Sequence, residues 1–287
     1  MEKDTYFHIF LISIIVGLGV VLFYYGVFRN FGDSFEDKLL LNFKKFDEEY
    51  ELQETKEEAT GAETTNVPIF IYHSVRPHLA IENKLLKYYT VSPQSFEKQL
   101  RYLKDNGYVV IRLEYLADSL LQKIILPPKS VVLTFDDGWE NQYRYAFPFL
   151  KKYGFTATFF VFTNVIDKNP SFLTWDQVKS MDEAGMAIGG HTKSHPYLFE
   201  IKDQNLLTQE ISDGKKIIEE HIKKPVTIFA YPFGHYNDLL IKMVKQAGFK
   251  AARGTYRGTH HSADDIYKLK GIEATDDFGQ FIKDLNN

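Results

Sequence analysis

The chain has 287 residues, 44% of them hydrophobic and 25% charged, with a formal net charge of −4 at pH 7. That length suits one large domain with appendages, the composition is that of a folded protein, and the acidic balance offers no basic face to a nucleic acid. Cysteine is absent, which excludes disulfides, thiolate metal sites and cysteine nucleophiles. A metal site here has to be built from His, Asp and Glu.

From Tyr6 to Phe28 the chain is one apolar run without formal charge. At about 1.5 Å per residue, roughly 20 such residues cross a hydrocarbon core of about 30 Å. Tyr24 and Tyr25 stand near one end, where amphipathic rings favour the interface. The run outlasts a signal-peptide core and no small-x-small site follows it, so residues 1–30 are expected to form an uncleaved, single-pass anchor in the cell membrane. Lys3 and Arg29 flank the run, and this balance leaves its orientation open. Residues 31–66 read as a stalk. Leu39, Leu40, Phe43 and Phe46 recur at helical spacing, and the acidic, polar stretch after them cannot bury enough surface to offset its ordering entropy.

From residue 67 to 287 short apolar strands alternate with helical runs. The expected strands are Pro68–Ser74, Tyr108–Ile111, Ser130–Phe135, Ala157–Phe162, Ala187–Gly190, Thr227–Tyr231, Ala251–Thr255 and Tyr267–Ile272, each rich in β-branched or aromatic residues and bounded by turn residues. The first helix opens at Ser92-Pro93, a cap followed by an N1 proline, and closes at Asn106-Gly107. Others are expected at about Glu140 to Lys152, Trp175 to Ala184, Asn205 to Lys223 and Asn237 to Gln246. This alternation predicts an α/β fold with a parallel sheet, and seven or eight units suit a barrel, whose catalytic groups gather at the C-terminal strand ends.

Three of those ends carry chemistry. Residues 131–138 are an apolar strand ending in Asp136-Asp137-Gly138, and a nearby cation would explain two confined, adjacent carboxylates. His191 and His195 lie in a frame of Gly189, Gly190 and Pro196 that reads as a strand end entering a tight turn. The third end is Tyr231-Pro232-Phe233-Gly234. Asp137, His191 and His195 make a two-His-one-carboxylate set suited to Zn²⁺ or another first-row divalent ion, with positions left open. Asp136 is then placed to act as a base on metal-bound water.

Together, the Thr-Phe-Asp-Asp-Gly, His-Thr-x-Ser-His-Pro and Tyr-Pro-Phe-Gly motifs resemble the polysaccharide deacetylase domain of carbohydrate esterase family 4, from roughly Pro68 to the C-terminus. The resemblance implies a distorted (β/α) barrel of about seven parallel strands holding one divalent metal, usually zinc, with cobalt, nickel or manganese as alternatives. It implies Asp136 as catalytic base, Asp137, His191 and His195 as metal ligands, and the Phe233 N–H as an oxyanion donor. Tyr231, Pro232 and Trp175 join Phe233 as candidate substrate contacts, and Trp139 is a further aromatic candidate. The implied partner is an N-acetylated polysaccharide outside the cytoplasm, and no protein partner is evident.

Two positions depart from the family pattern. An arginine usually stands where this chain has Ala230, and Arg253 is the candidate substitute. The usual C-terminal Leu-x-His motif is missing. Ile69-Phe70-Ile71-Tyr72-His73-Ser74 is instead an apolar strand ending in a histidine, as in a permuted branch of the family that includes biofilm poly-N-acetylglucosamine deacetylases. That layout implies His73 as the general acid, with His260 or His261 as the alternative. The expected reaction is removal of N-acetyl groups from poly-N-acetylglucosamine. The competing readings are a peptidoglycan N-acetylglucosamine deacetylase, an O-acetyl esterase on xylan-like polymers, and a non-catalytic carbohydrate-binding protein.

Overall fold

A computed structural model describes residues 64–286. The expected anchor and most of the expected stalk lie outside these residues. Among the described residues, no helix is long and apolar enough to cross a membrane.

The eight expected strands are all present, most of them trimmed at the ends. They are β1 (Ile69–Tyr72), β2 (Val109–Ile111), β3 (Ser130–Phe135), β4 (Thr158–Val161), β5 (Ala187–Gly190), β6 (Ile228–Ala230), β7 (Ala251–Arg253) and β8 (Ile272–Glu273). Seven of them form a parallel half-barrel in the order β7-β6-β5-β4-β3-β1-β8. Val132 of β3 pairs with Ile69 on one side and Ile111 on the other, so β2 takes the lower part of the edge that β4 occupies higher up, at Thr134 and Phe135. The last strand is shorter and later than expected. The stretch before it pairs along β7 instead, through an Arg253–Leu269 bridge and a bond from Ala252 N to Ile266 O.

Alternation along the strands separates two apolar layers. Ile69, Val132, Phe160, Ile228, Ala230 and Ala251 turn inward and share one buried cluster. Helix α2 (Leu113–Gln122) adds Leu113, Leu116 and Leu120 to that cluster. Phe70, Tyr72 and Phe135 turn outward and meet Phe281 and Phe96 on two further helices. These are α1 (Pro93–Asp105), capped by the Ser92 side chain on Ser95 N, and α7 (Phe278–Leu285). Such an N-cap contributes about 1 kcal/mol. Helices α2 and α7 were not anticipated from the sequence.

Two expected helices are interrupted. The first becomes a π turn, Gln142–Ala146, running into α3 (Phe147–Tyr153). The second becomes a short helix Gln204–Thr208, a π turn Gln209–Asp213 and then α5 (Gly214–Ile222). Between them lies α4 (Trp175–Glu183), opened by a capping box of Thr174 and Gln177, and after them α6 (Asp238–Gln246).

Candidate functional site

Every group singled out on a strand end arrives at the C-terminal rim of the half-barrel. Asp136 and Asp137 follow β3, His191 follows β5, the Pro232–Gly234 turn follows β6, His73 follows β1, and Arg253 ends β7. Asp136 N donates to Tyr72 O at 2.9 Å, and the Gln142 amide nitrogen donates to the carbonyls of both His73 and Asp136. These bonds lock the ends of β1 and β3 side by side.

Asp137, His191 and His195 converge. Asp137 Oδ1 lies 3.5 Å from His191 Nε2 and 3.3 Å from His195 Nε2, and the two Nε2 atoms are 3.1 Å apart. Bonds of about 2.0–2.1 Å to a tetrahedral ion would separate donors by about 3.3–3.4 Å, so the three atoms already stand at ligand spacing. His191 Nδ1 is 2.7 Å from Ala230 O. A carbonyl can only accept, so Nδ1 carries the proton and the Nε2 lone pair faces the group, the arrangement expected of a metal-ligating histidine. The indole N–H of Trp139 donates to Asp137 Oδ2 at 2.9 Å, leaving Oδ1 for the cluster. Burial alone would raise the Asp137 pKa, but the His191 and His195 imidazoles outweigh it and hold the carboxyl well below the usual range. Burial, reinforced by the neighbouring His191, depresses His195 despite Asp137, favouring the neutral ring that a metal needs. The donor set therefore fits a first-row divalent ion.

Asp136 is 3% exposed and its Oδ1 accepts from the guanidinium of fully buried Arg253. The sheet register explains how this arginine stands in for the one expected at 230: Arg253 pairs directly with Ala230, and both residues point into the barrel. The cation has moved one strand sideways at the same height. Arg253 is also fixed by donation to Gly254 O at 2.9 Å and by the Phe160 ring, 5.1 Å from its guanidinium carbon.

His73 lies against Glu273, with Nδ1 3.3 Å from Oε2, an ion-pair distance, and its ring meets Tyr89 edge-on. Burial is the largest single influence and favours the neutral ring. Glu273, with help from Asp137 and Asp136, overrides it and pushes His73 up to about 9. His260 and His261 lie elsewhere, in a short strand paired antiparallel with Thr65–Asn66 ahead of β1, and His261 Nε2 bonds Val67 O.

Phe233 reaches the site on a tight turn, with φ of +60°, and its ring centre lies 4.8 Å from that of His195. Gly234, at φ +77°, is obligatory because a Cβ there would overlap Thr255. Three substrate expectations are corrected. Tyr231 and Pro232 are buried beneath the turn, Tyr231 packing on Phe229 and Tyr236, so they support it rather than face a ligand. Trp175 is only 8% exposed and stacks on His221 at 3.8 Å; it belongs to the packing of α4 on α5. Trp139 buttresses Asp137 and stacks on Phe172 at 4.3 Å. A groove of about 390 Å³ opens beside Phe172, between Glu140, Arg144, Asp167 and Gln177. The sequence reading missed Gln142, Glu273 and Glu210. The signal for Glu210 was a carboxylate on the apolar seam of Leu207, Ile211 and Ile218, all buried.

The family described as polysaccharide deacetylase matches residues 123–252. The poly-β-1,6-N-acetyl-D-glucosamine N-deacetylase of Staphylococcus aureus is 27% identical over 234 residues, covering 74% of this chain and 80% of that protein. Among solved structures, the Streptococcus pyogenes deacetylase PplD in complex with acetate is similar with a TM-score of 0.72 and 28% identity, covering 78% of this chain and 99% of that one. IcaB from Ammonifex degensii gives a TM-score of 0.69 and 26% identity, covering 77% of this chain and 97% of that one.

Proposed function

We propose that this chain, which the polysaccharide deacetylase family matches over residues 123–252, is a metal-dependent hydrolase removing N-acetyl groups from extracytoplasmic poly-N-acetylglucosamine, with residues 1–30 as its membrane anchor. The observation that carries this reading is the pairing, across one rim, of a carboxylate tied to a buried arginine with an imidazole held beside Glu273. The choice of polymer is supported by the named activity of the Staphylococcus aureus relative.

Amide hydrolysis needs a base for the attacking water, a stabilised oxyanion and an acid for the departing nitrogen. Asp137, His191 and His195 would hold the divalent ion, zinc by preference. When bound, it supplies Lewis-acid polarisation of the amide carbonyl and lowers the pKa of water at the site. Asp136, its carboxylate oriented by Arg253, takes the water's proton. The Phe233 N–H donates to the developing oxyanion. His73 turns Nδ1 to Glu273, so the proton on Nε2 is the one available to the amine as the C–N bond breaks. The products are acetate and a glucosamine unit.

The test is acetate release from β-1,6-linked N-acetylglucosamine oligomers by the full-length chain, with added Zn²⁺ and with chelator. Release should require metal, vanish in Asp136→Asn and fall sharply in His73→Ala but not in His260→Ala. Metal-loaded protein that releases no acetate from any glucosamine polymer would refute the proposal.

A further inference from the structure

His191 and His195 are four residues apart, yet no helix holds them in phase. The turn between them is held in unfavourable conformations, with φ of +69° at Thr192 and +59° at His195. Non-glycine residues in this region are strained and persist only where the surroundings over-determine them. Within the turn, His195 N donates to Thr192 Oγ1 at 2.9 Å, and Asn164 N donates to Lys193 O at 2.8 Å.

Three further donors of the turn point at one side chain. Glu210 Oε2 accepts from Lys193 N at 3.2 Å and Ser194 N at 2.8 Å, and Oε1 accepts from Ser194 Oγ at 2.7 Å. Glu210 is 7% exposed, and among the described residues its partners are these donors and no cation. A buried carboxylate without a counter-ion is costly unless its lone pairs are filled, so the turn and Glu210 satisfy each other. The same helical segment approaches the turn at a second point. A Cβ on Gly214 would come within 2.7 Å of the Thr192 carbonyl carbon, so only glycine lets α5 begin directly against the turn backbone. Both contacts come from the π turn Gln209–Asp213 and the residue after it; single π turns inside helices are frequent at functional sites.

We infer that Glu210 is a positioning residue of the metal centre, a buried hydrogen-bonding clamp that sets the His191–His195 turn and thereby aims His195 Nε2 at the ion. This inference rests on Asp137, His191 and His195 being the ligands. Glu210 touches no reacting group. It acts through the turn, and its removal is felt as lost preorganisation of a ligand.

The experiment measures zinc affinity of the full-length chain by competition with a chromogenic chelator, alongside thermal unfolding and the visible spectrum of the Co²⁺-loaded protein. Wild type, Glu210→Ala, Glu210→Gln, Ser194→Ala and His195→Ala are compared. Glu210→Ala should weaken zinc binding by about 10–100-fold, the usual effect of losing an outer partner of a metal ligand, and should alter the Co²⁺ spectrum. Glu210→Gln should stay within about threefold of wild type, because its carbonyl can accept both amide N–H groups while its amide donates to Ser194 Oγ. A folded Glu210→Ala with wild-type affinity overturns the inference. So does a Gln variant as weak as Ala, which would make charge rather than hydrogen bonding the cause. If Glu210→Ala does not fold, Ser194→Ala decides: it removes one of the three bonds and should cost roughly threefold or more, and no change overturns the clamp. Wild type that fails to bind zinc, or His195→Ala that binds as tightly as wild type, refutes the ligand assignment and the inference with it.

Discussion

Replacing Arg253 with methionine probes its buried ion pair with Asp136. Methionine keeps the apolar stem but offers no donor, so Asp136 loses its guanidinium, Gly254 O loses its 2.9 Å partner and the cation over Phe160 disappears. Removing one partner of a buried ion pair leaves an uncompensated charge and costs about 3–5 kcal/mol. Neither side chain is more than 4% exposed, so the solvent screening that weakens surface bridges does not reduce this figure. With an m-value of about 2–3 kcal/mol per molar urea, the unfolding midpoint of Arg253→Met should fall by about 1–2 M. Equilibrium urea unfolding of wild type, Arg253→Met, Asp136→Asn and the double variant, followed by tryptophan fluorescence, completes a cycle. The double variant should be more stable than Arg253→Met alone, because the orphaned charge is gone. Acetate release by Arg253→Met should fall about 100-fold as the base loses its orientation. A midpoint within about 0.3 M of wild type, or strictly additive effects, would refute the claim that Arg253 is the counter-ion of Asp136.

Two further outcomes are expected. Trp139→Phe keeps the stack on Phe172 but loses the indole donor to Asp137 Oδ2; zinc affinity should drop about tenfold with little change in unfolding temperature, and unchanged affinity would show that Asp137 needs no such tether. Burial holds His261 down at about 4, so between pH 6.5 and 4 the unfolded chain binds the proton while the folded chain resists it. Stability from this residue is full above about pH 6.5 and is lost as pH falls toward 4, by about 3 kcal/mol at about 1.4 kcal/mol per tenfold change in proton affinity. His261→Gln, which cannot titrate, should flatten that part of the profile; His235, also held down at about 4 by burial, keeps the rest. An identical slope in the variant would refute the assignment.

The clustering of Asp137, His191 and His195, with Asp136 beside them, was legible because these residues sit at strand ends, and strand ends can be read from local composition. Arg253 was legible as a candidate substitute for the arginine missing at Ala230, but its placement was not. Its role depends on which residue lies beside it in the sheet, and the Arg253–Ala230 register is a property of two strands. His73 was preferred over His260 and His261 from its place at the end of an apolar strand, and the structure sets it beside Glu273 and near Asp136 and Asp137. Trp175 was misread although a cue was present: Thr174 and Gln177 form a capping box, which puts the indole in a first helical turn, free to pack on the neighbouring helix. The interruptions at 142–146 and 209–213 escaped notice because one π turn barely disturbs the spacing of apolar residues. Their effect appears only in which polar side chain, Gln142 or Glu210, is turned toward the rim.

The pairing of β8 with β1 has a consequence for the order in which the enzyme matures. His73 and Glu273 are about 200 residues apart in the chain, so the imidazole is synthesised early and its carboxylate almost last. Until Ile272 and Glu273 emerge, one edge of the opening strand stays unpaired, a long-range closure of the kind that slows folding. Asp136, Asp137, His191 and His195 have all emerged some 80 residues sooner. A nascent chain therefore carries His73 without its carboxylate neighbour through most of synthesis, and the two meet only when the final strand closes the sheet.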